Sequence, residues 1–406
     1  MTEPQWIAPG EHGFLAGETL YMRPLELADA RYPAAWHFSP FPINPERAEE
    51  ILKQDLPKEA NERKHRLVAC RRSDDIPVGA VSYGNLWSTL NMWVELHVDP
   101  AHGDGAAAMK SEMLRLVVPW MSAESHNMVV AVKLDAPEPE LIDAMGSLGF
   151  RPALRFREAI WQGGNRHDQW FYELLHPAWV ERLGDPGPTI NLATVPPATS
   201  PGSRRVSIKR PAGPLPKNLI LASERVALRP AEADDWKEGS RLLRRETETF
   251  YDRGRWLPSP VVGGHWVTEA MKADPPNWIP LTVVLRETGQ VIGDVGLHGI
   301  SLFHRTAETG SMLYLPELRG KGLGSEAKNL LLEYAFDHLG FHMLRSFVWG
   351  PNTRSQAALR KQGYRPAGGF RWESTQGGTF VDSMAFDLLA SEWRERVGPA
   401  TEGATA

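Results

Sequence analysis

Residues 184–217 read GDPGPTINLATVPPATSPGSRRVSIKRPAGPLPK, with eight prolines and several Gly and Ser. Such a stretch cannot continue a helix and has few large apolar side chains to bury, so it reads as an exposed, partly extended linker. It divides the chain into halves that repeat one another. Leu20-Tyr21-Met22-Arg23-Pro24, then Glu26 and Asp29, returns as Val226-Ala227-Leu228-Arg229-Pro230, then Glu232 and Asp234. His102-Gly103-Asp104-Gly105 returns as Arg319-Gly320-Lys321-Gly322-Leu323-Gly324, and Gly149-Phe150 as Gly363-Tyr364. Three landmarks in one order at a near-constant offset imply one fold used twice.

The composition narrows the function classes. Apolar residues are 42% and charged residues 23%, which suits a globular chain. Net charge is −5, from 45 Lys+Arg against 50 Asp+Glu, so no nucleic-acid partner is expected. The mildly acidic balance suits an amine-bearing partner. No apolar run reaches the length of a membrane span, and MTEPQWIAPGEHG lacks the basic and apolar regions of a signal peptide, so the expected location is cytoplasmic. Cys70 is the single cysteine; it reads as strand packing, and it excludes an intramolecular disulfide and a cysteine zinc cage. No metal is expected.

The second half reads as a strand at Arg225–Leu228, a helix over Ala231–Arg245 and a hairpin of Leu281–Arg286 with Val291–Leu297. A strand follows at Ser311–Leu315, then a helix over Ser325–Leu339 closed by Gly340, a strand at Met343–Val348, a helix over Ser355–Lys361 and a last strand at Phe380–Leu388. The expected class is α+β: two tandem domains, each a mixed, mostly antiparallel twisted sheet flanked by helices. The expected boundaries are 14–183 and 218–396 around the 184–217 linker, with a disordered tail at 397–406.

Between a strand and a long helix stands Arg319-Gly320-Lys321-Gly322-Leu323-Gly324. Glycines there let the backbone turn tightly and approach a ligand, and free N–H groups at a helix start favour an anion such as a pyrophosphate. A Walker loop is excluded, because Gly-Lys-Ser/Thr is absent. A dinucleotide fold wants the loop in an early parallel βαβ unit, whereas this one comes late.

The second half resembles the GCN5-related N-acetyltransferase (GNAT) superfamily. It is most similar to the branch with the Rim-type ribosomal-protein N-terminal acetyltransferases and their small-amine relatives. The likeness spans Asn218 to Arg396. It rests on the Arg319–Gly324 loop, the following Ser325-Glu326-Ala327 and Tyr334-Ala335-Phe336, Pro351-Asn352-Thr353-Arg354-Ser355, Lys361-Gln362-Gly363-Tyr364, Asp382 and Glu392-Trp393. The resemblance implies an acetyl-CoA-dependent N-acetyltransferase, with acetyl-CoA as co-substrate. The backbone of Arg319, Gly320, Lys321, Gly322, Leu323 and Gly324 would hold the pyrophosphate. The strand edge Met312, Leu313 and Tyr314 would meet the pantetheine and stabilise the oxyanion, and Asn352 would bind the pantetheine arm. Ser355 either protonates the departing thiolate or is a helix-start hydroxyl. Glu308 matches the branch's glutamate before strand four and is the first candidate base; Glu373 is the second. The Tyr acid that many members place seven residues after the Asn is Leu359 here.

Glu248, Tyr251 and Trp256 lie in an acidic and aromatic stretch expected to bind the acceptor, unless it is ordinary helix–loop packing. The acceptor is expected to be a small-molecule amine, an antibiotic or a biosynthetic intermediate. A protein N-terminus, or a non-catalytic acyl-CoA sensor or scaffold, are the other readings. The chain would be a monomer or homodimer. In the first half Asp104 puts negative charge where a phosphate would sit, and Leu134-Asp135-Ala136-Pro137 replaces the Pro-Asn step, so that half is expected to be a degenerate, non-catalytic copy.

Overall fold

A computed structural model of the chain describes residues 14–59, 64–85, 91–124, 127–136, 138–189, 208–210, 218–245 and 259–397. It holds two compact units. The first comprises residues 1–154, 169–189 and 370–373; the second comprises 155–168, 190–369 and 374–406. Each unit therefore contains a segment from the other half of the sequence. Of the expected tail only Val397 is described, at the end of a helix, and most of the linker lies outside the described residues. Within the linker Thr189 donates to the Ala153 carbonyl at 3.2 Å, Ile208 packs on the core of the second unit and Arg210 pairs with Glu333.

In the first unit the strands are β1 (Leu15–Ala16), β2 (Leu20–Pro24), β3 (Lys64–Arg71), β4 (Pro77–Asn85), β5 (Asn91–Val98), β6 (Val129–Leu134) and β8 (Asn165–Leu175); β7 (Arg151–Gln162) begins there and runs into the second unit. They pair in the order β1-β2-β3-β4-β5-β6-β8, antiparallel except for β5 with β6. The helices are α1 (Pro33–Trp36), α2 (Pro45–Glu59), α3 (Ala106–Glu124), α4 (Pro139–Ser147) and α5 (Pro177–Leu183). Cys70 is buried beside Trp36, Leu52 and Val68, as core packing requires.

The second unit repeats the plan with β9 (Leu221–Ala222), β10 (Val226–Pro230), β11 (Trp278–Leu285), β12 (Val291–Ser301), β13 (Thr306–Leu313), β14 (Met343–Trp349) and β16 (Thr379–Leu389); β15 is Arg365–Gln376. Again one pair, β13 with β14, is parallel. The helices are α6 (Ala233–Leu242), α7 (Pro260–Ala270), α8 (Leu323–Glu333), α9 (Thr353–Gln362) and α10 (Ala390–Val397). The duplication extends to single contacts. Arg23 forks onto buried Asp29 at 2.8 and 2.9 Å, and Arg229 forks onto buried Asp235 at 2.6 and 2.7 Å. In both, a Glu three residues before that Asp completes a reciprocal cap. No described helix is long and apolar enough to cross a membrane.

The pleat sorts β13 onto two faces. Ala307 joins the apolar core beneath α8, with Leu281, Leu297, Ala327 and Leu331. Glu308 points the other way, beside its register partner His298, which stacks on Trp278 at 5.6 Å. Trp278 in turn meets Trp236 of α6, so this is the α6 and α7 face.

Most expected elements form within a few residues of their reading. Three differ. β13 starts at Thr306 and stops at Leu313, so Tyr314 and Leu315 are outside it, although the Tyr314 N–H still bonds the Ile292 carbonyl at 3.0 Å. The helix after the loop ends at Glu333 and continues as one π turn over Tyr334–His338. Strand β15 and helices α7 and α10 had no counterpart in the sequence reading. β15 carries Pro and two Gly among its first five residues, which mask a strand in pattern reading.

Candidate active site

The site lies where β13 and β14 part. They pair only over Thr306↔Met343, Ala307↔Leu344 and Glu308↔Arg345; beyond that, β13 stays with β12 and β14 with β16. Side chains pin the point of divergence. Ser346 Oγ donates to the Thr309 carbonyl at 3.0 Å, Thr309 Oγ1 donates to the Arg345 carbonyl at 3.2 Å, and the Tyr364 hydroxyl is 2.8 Å from Thr309 Oγ1. Because the Tyr314 N–H faces β12 and successive N–H groups alternate, those of Leu313 and Ser311 face the opened notch. The Leu313 carbonyl on that edge accepts from Arg319 Nη2 at 3.0 Å. Met312 lies between them, in register with Asp294. The Tyr314 hydroxyl bonds Asp294, whose carboxyl burial pushes up to about 7.

The notch runs toward the glycine-rich loop. Gly322 caps α8 in the left-handed conformation at φ 83°, and Gly320 sits at φ 75° with nothing within 4 Å of an added Cβ. The first N–H groups of α8, from Leu323, Gly324 and Ser325, have no acceptor within the helix. Arg225 braces the loop from behind, with Nη1 donating to the Lys321 carbonyl at 2.9 Å and Nε to Glu326 Oε2 at 2.8 Å. Open space before left-handed glycines at a helix start fits a pyrophosphate.

Asn352 caps α9, its Oδ1 accepting the Ser355 N–H at 3.1 Å. The cap is therefore Asn352, not Ser355. The Ser355 hydroxyl makes no hydrogen bond among the described residues. Leu359 is buried in the core, so no proton donor reaches the site from there.

On the α6 and α7 face Glu308 lies between His298 and Arg345 in the register. Burial raises the Glu308 carboxyl above its ordinary range, with Arg345 and Lys328 pulling the other way. Burial, aided by the Lys328 charge, lowers His298 to about 4, so its ring is neutral at physiological pH. Trp236, Trp266, Trp278 and His298 form an aromatic cluster on this face. Glu373 is buried in the 370–373 segment that belongs to the first unit, whereas Glu308 and Ser355 belong to the second. Glu248, Tyr251 and Trp256 lie outside the described residues.

Residues 225–365 match the sequence model of the family described as an acetyltransferase (GNAT) domain. This segment is a GNAT domain. It holds the notch, the loop and the Asn352 cap. The chain is 31% identical over 104 residues to the uncharacterized N-acetyltransferase YoaA of Bacillus subtilis (strain 168), covering 26% of this chain and 58% of that protein. It is 29% identical over 105 residues to the putative ribosomal N-acetyltransferase YdaF of the same organism, covering 26% and 57%. The chain thus spans just under three fifths of the length of these two relatives. A solved putative acetyltransferase from Sphaerobacter thermophilus DSM 20745 is 34% identical, with 39% of this chain and 96% of that one covered at a TM-score of 0.32.

Two residues of the GNAT domain site were not singled out from sequence. Arg345 sits in a strand, where nothing distinguishes it from a surface cation. Lys328 carried a signal: four and eight residues before Leu332 and Phe336, it occupies the buried stripe of α8, where a lysine is out of place.

Proposed function

We propose that the GNAT domain transfers an acyl group, acetyl by default, from acyl-CoA to a primary amine by direct attack. The observation that carries this reading is the parting of β13 and β14 between a glycine cradle and the half-buried Glu308. An alkyl ammonium has no lone pair and titrates near pH 10, so the acceptor must lose a proton before it attacks. Glu308, its carboxyl made more basic by burial, accepts that proton directly or through a water. The amine nitrogen bonds the thioester carbonyl carbon while the N–H of Leu313 or Ser311 meets the developing oxyanion. The C–S bond then breaks, and the thiolate takes a proton from the Ser355 hydroxyl or from water, giving an amide and free CoA. Asn352 Nδ2 is left to hold the pantetheine arm, because Oδ1 is committed to the cap. The aromatic face suits a small cationic acceptor.

The first half is read as non-catalytic. Counted from the first parallel pair, Trp93 stands where the second half has Glu308. Lys133 bonds Glu95 beside it, and Lys110 ties α3 to α4 through Glu138 at 2.8 Å. Asp104 is exposed on the loop itself.

The test is CoA release from acetyl-CoA across a panel of small amines, polyamines and peptide N-termini, with Glu308→Gln as control. The variant is expected to lower kcat by about 10²–10⁴-fold and to abolish the rise in rate through the Glu308 titration. Unchanged kcat and pH profile in Glu308→Gln would remove Glu308 from the mechanism.

A further inference from the structure

Lys328 is 1% exposed and sits in the second turn of α8, on the face packed beneath β13. Among the described residues its ammonium makes no hydrogen bond and no ion pair within 4 Å. Its nearest defined contact is the Tyr364 ring, 5.8 Å from Nζ to the centroid. The same Tyr364 reaches Thr309 at the point where β13 and β14 separate. The lysine thus lies at the closed end of the notch, near enough to Glu308 and His298 for its charge to act on both without an ion pair. A charge there is costly unless something compensates it.

The fold does not need it. The equivalent sixth residue of α3 in the first half is Ser111, whose hydroxyl turns back onto the Ala107 carbonyl of its own helix at 2.8 Å. A lysine was placed where the repeat accepts a small self-satisfied side chain.

We infer that Lys328 receives the far end of the acyl group, and that the donor the site selects is an acyl-CoA whose chain ends in a carboxylate, of the malonyl or succinyl class. This rests on the acyltransferase reading above and names its donor. The spacing agrees. From Ser311, whose N–H faces the notch, to Thr309 is two residues, roughly 7 Å along the strand. A succinyl chain extends about 4–5 Å beyond its thioester carbonyl, across three C–C bonds of about 1.5 Å. The ammonium then completes the gap with a charge-assisted hydrogen bond. The transfer is otherwise unchanged: nitrogen bonds the thioester carbon, C–S breaks, the amine proton goes to Glu308 and CoA leaves as the thiol. The groups around the lysine are Glu308 on β13, His298 on β12 and the Tyr364 phenol. Burial lowers Lys328 to about 7, with Glu308 opposing. A carboxylate brought beside it therefore draws a proton from solution when it binds above that pH.

The experiment is calorimetric titration of the full chain with CoA, butyryl-CoA and succinyl-CoA at pH 8, in buffers of different ionisation enthalpy. Butyryl matches succinyl in carbon count and lacks its charge. Wild type is expected to bind succinyl-CoA at least tenfold more tightly than butyryl-CoA, with proton uptake confined to succinyl-CoA. In Lys328→Met the two affinities fall within about twofold and the uptake disappears. Lys328→Gln repeats the comparison should the methionine variant fail to fold. CoA bound but no succinyl preference in wild type overturns this inference and leaves the cradle standing. A preference that survives both substitutions also overturns it. No binding of CoA itself removes the cradle reading and this inference together.

Discussion

Arg157 gives the sharpest test of how the second unit is built. It comes from the first half of the sequence, in the 155–168 segment, yet belongs to the second unit. Its guanidinium reaches Asp387 from Nε at 3.0 Å and Nη2 at 2.5 Å, and Glu392 from Nη1 at 2.7 Å and Nη2 at 3.0 Å; its backbone N–H bonds Asp387 Oδ2 at 2.9 Å. Asp387 is 1% exposed. Arg157→Met keeps the length and the backbone bond but strips the buried carboxylate of its counter-charge. Glu392 keeps Arg365 at 2.5 Å, so the loss falls on Asp387. Orphaning one partner of a buried pair costs about 3–5 kcal/mol. For a unit of about 200 residues, at about 2–4 °C per kcal/mol, that lowers the melting temperature by roughly 6–20 °C. The sign with pH follows. Burial already holds the Asp387 carboxyl above its ordinary value against the pull of Arg157, and removing Arg157 raises it further. An acid whose folded pKa is raised destabilises the fold where it must ionise and ceases to do so once protonated. The deficit therefore shrinks as pH falls below the raised value. Asp387→Asn in the same chain should recover much of it, since the amide carries no charge. Differential scanning calorimetry between pH 5 and 8 reads all three. A shift under 2 °C, or a deficit that does not change with pH, would refute the claim that the 155–168 segment is an integral part of this unit.

Two further outcomes are expected. Gly322→Ala forces a Cβ into a left-handed residue 3.3 Å from Arg225 Nη2, so it should cost about 1–2 kcal/mol of stability and weaken CoA binding by at least tenfold in calorimetry. His298 is held neutral down to about pH 4 against 6.5 when unfolded, so its contribution is fully present above 6.5 and lost as pH falls through 4. His298→Gln should therefore lose up to about 3 kcal/mol less than wild type in acid titrations of stability.

The loop, the Asn352 step and the duplication were legible because each depends on local chemistry. Glycines at positive φ, a side-chain cap three residues from its N–H and a repeated strand entry leave marks at short range. Glu308 was legible only as a motif position; its burial and neighbours come from pairing with β12 and β14, which no local pattern encodes. Lys328 was visible as a polar residue on an apolar stripe, but its isolation depends on where Tyr364 and Thr309 meet, 36 and 19 residues away in sequence. The hardest feature was unit membership. Residues 155–168 follow the first half without interruption, and nothing in their alternation says that Arg157 answers to Asp387, 230 residues on.

That separation has a price in time. Chains emerge from the ribosome at about 5–20 residues per second, so the 155–168 segment waits roughly 10–50 s for the strand and helix that hold it. Throughout, Phe156, fully buried in the finished fold, has neither Phe347 nor the Arg345 guanidinium to pack against. The first half of this protein is thus a nascent chain carrying an unmatched strand, and its yield should respond to chaperone supply and translation rate more than its final stability suggests.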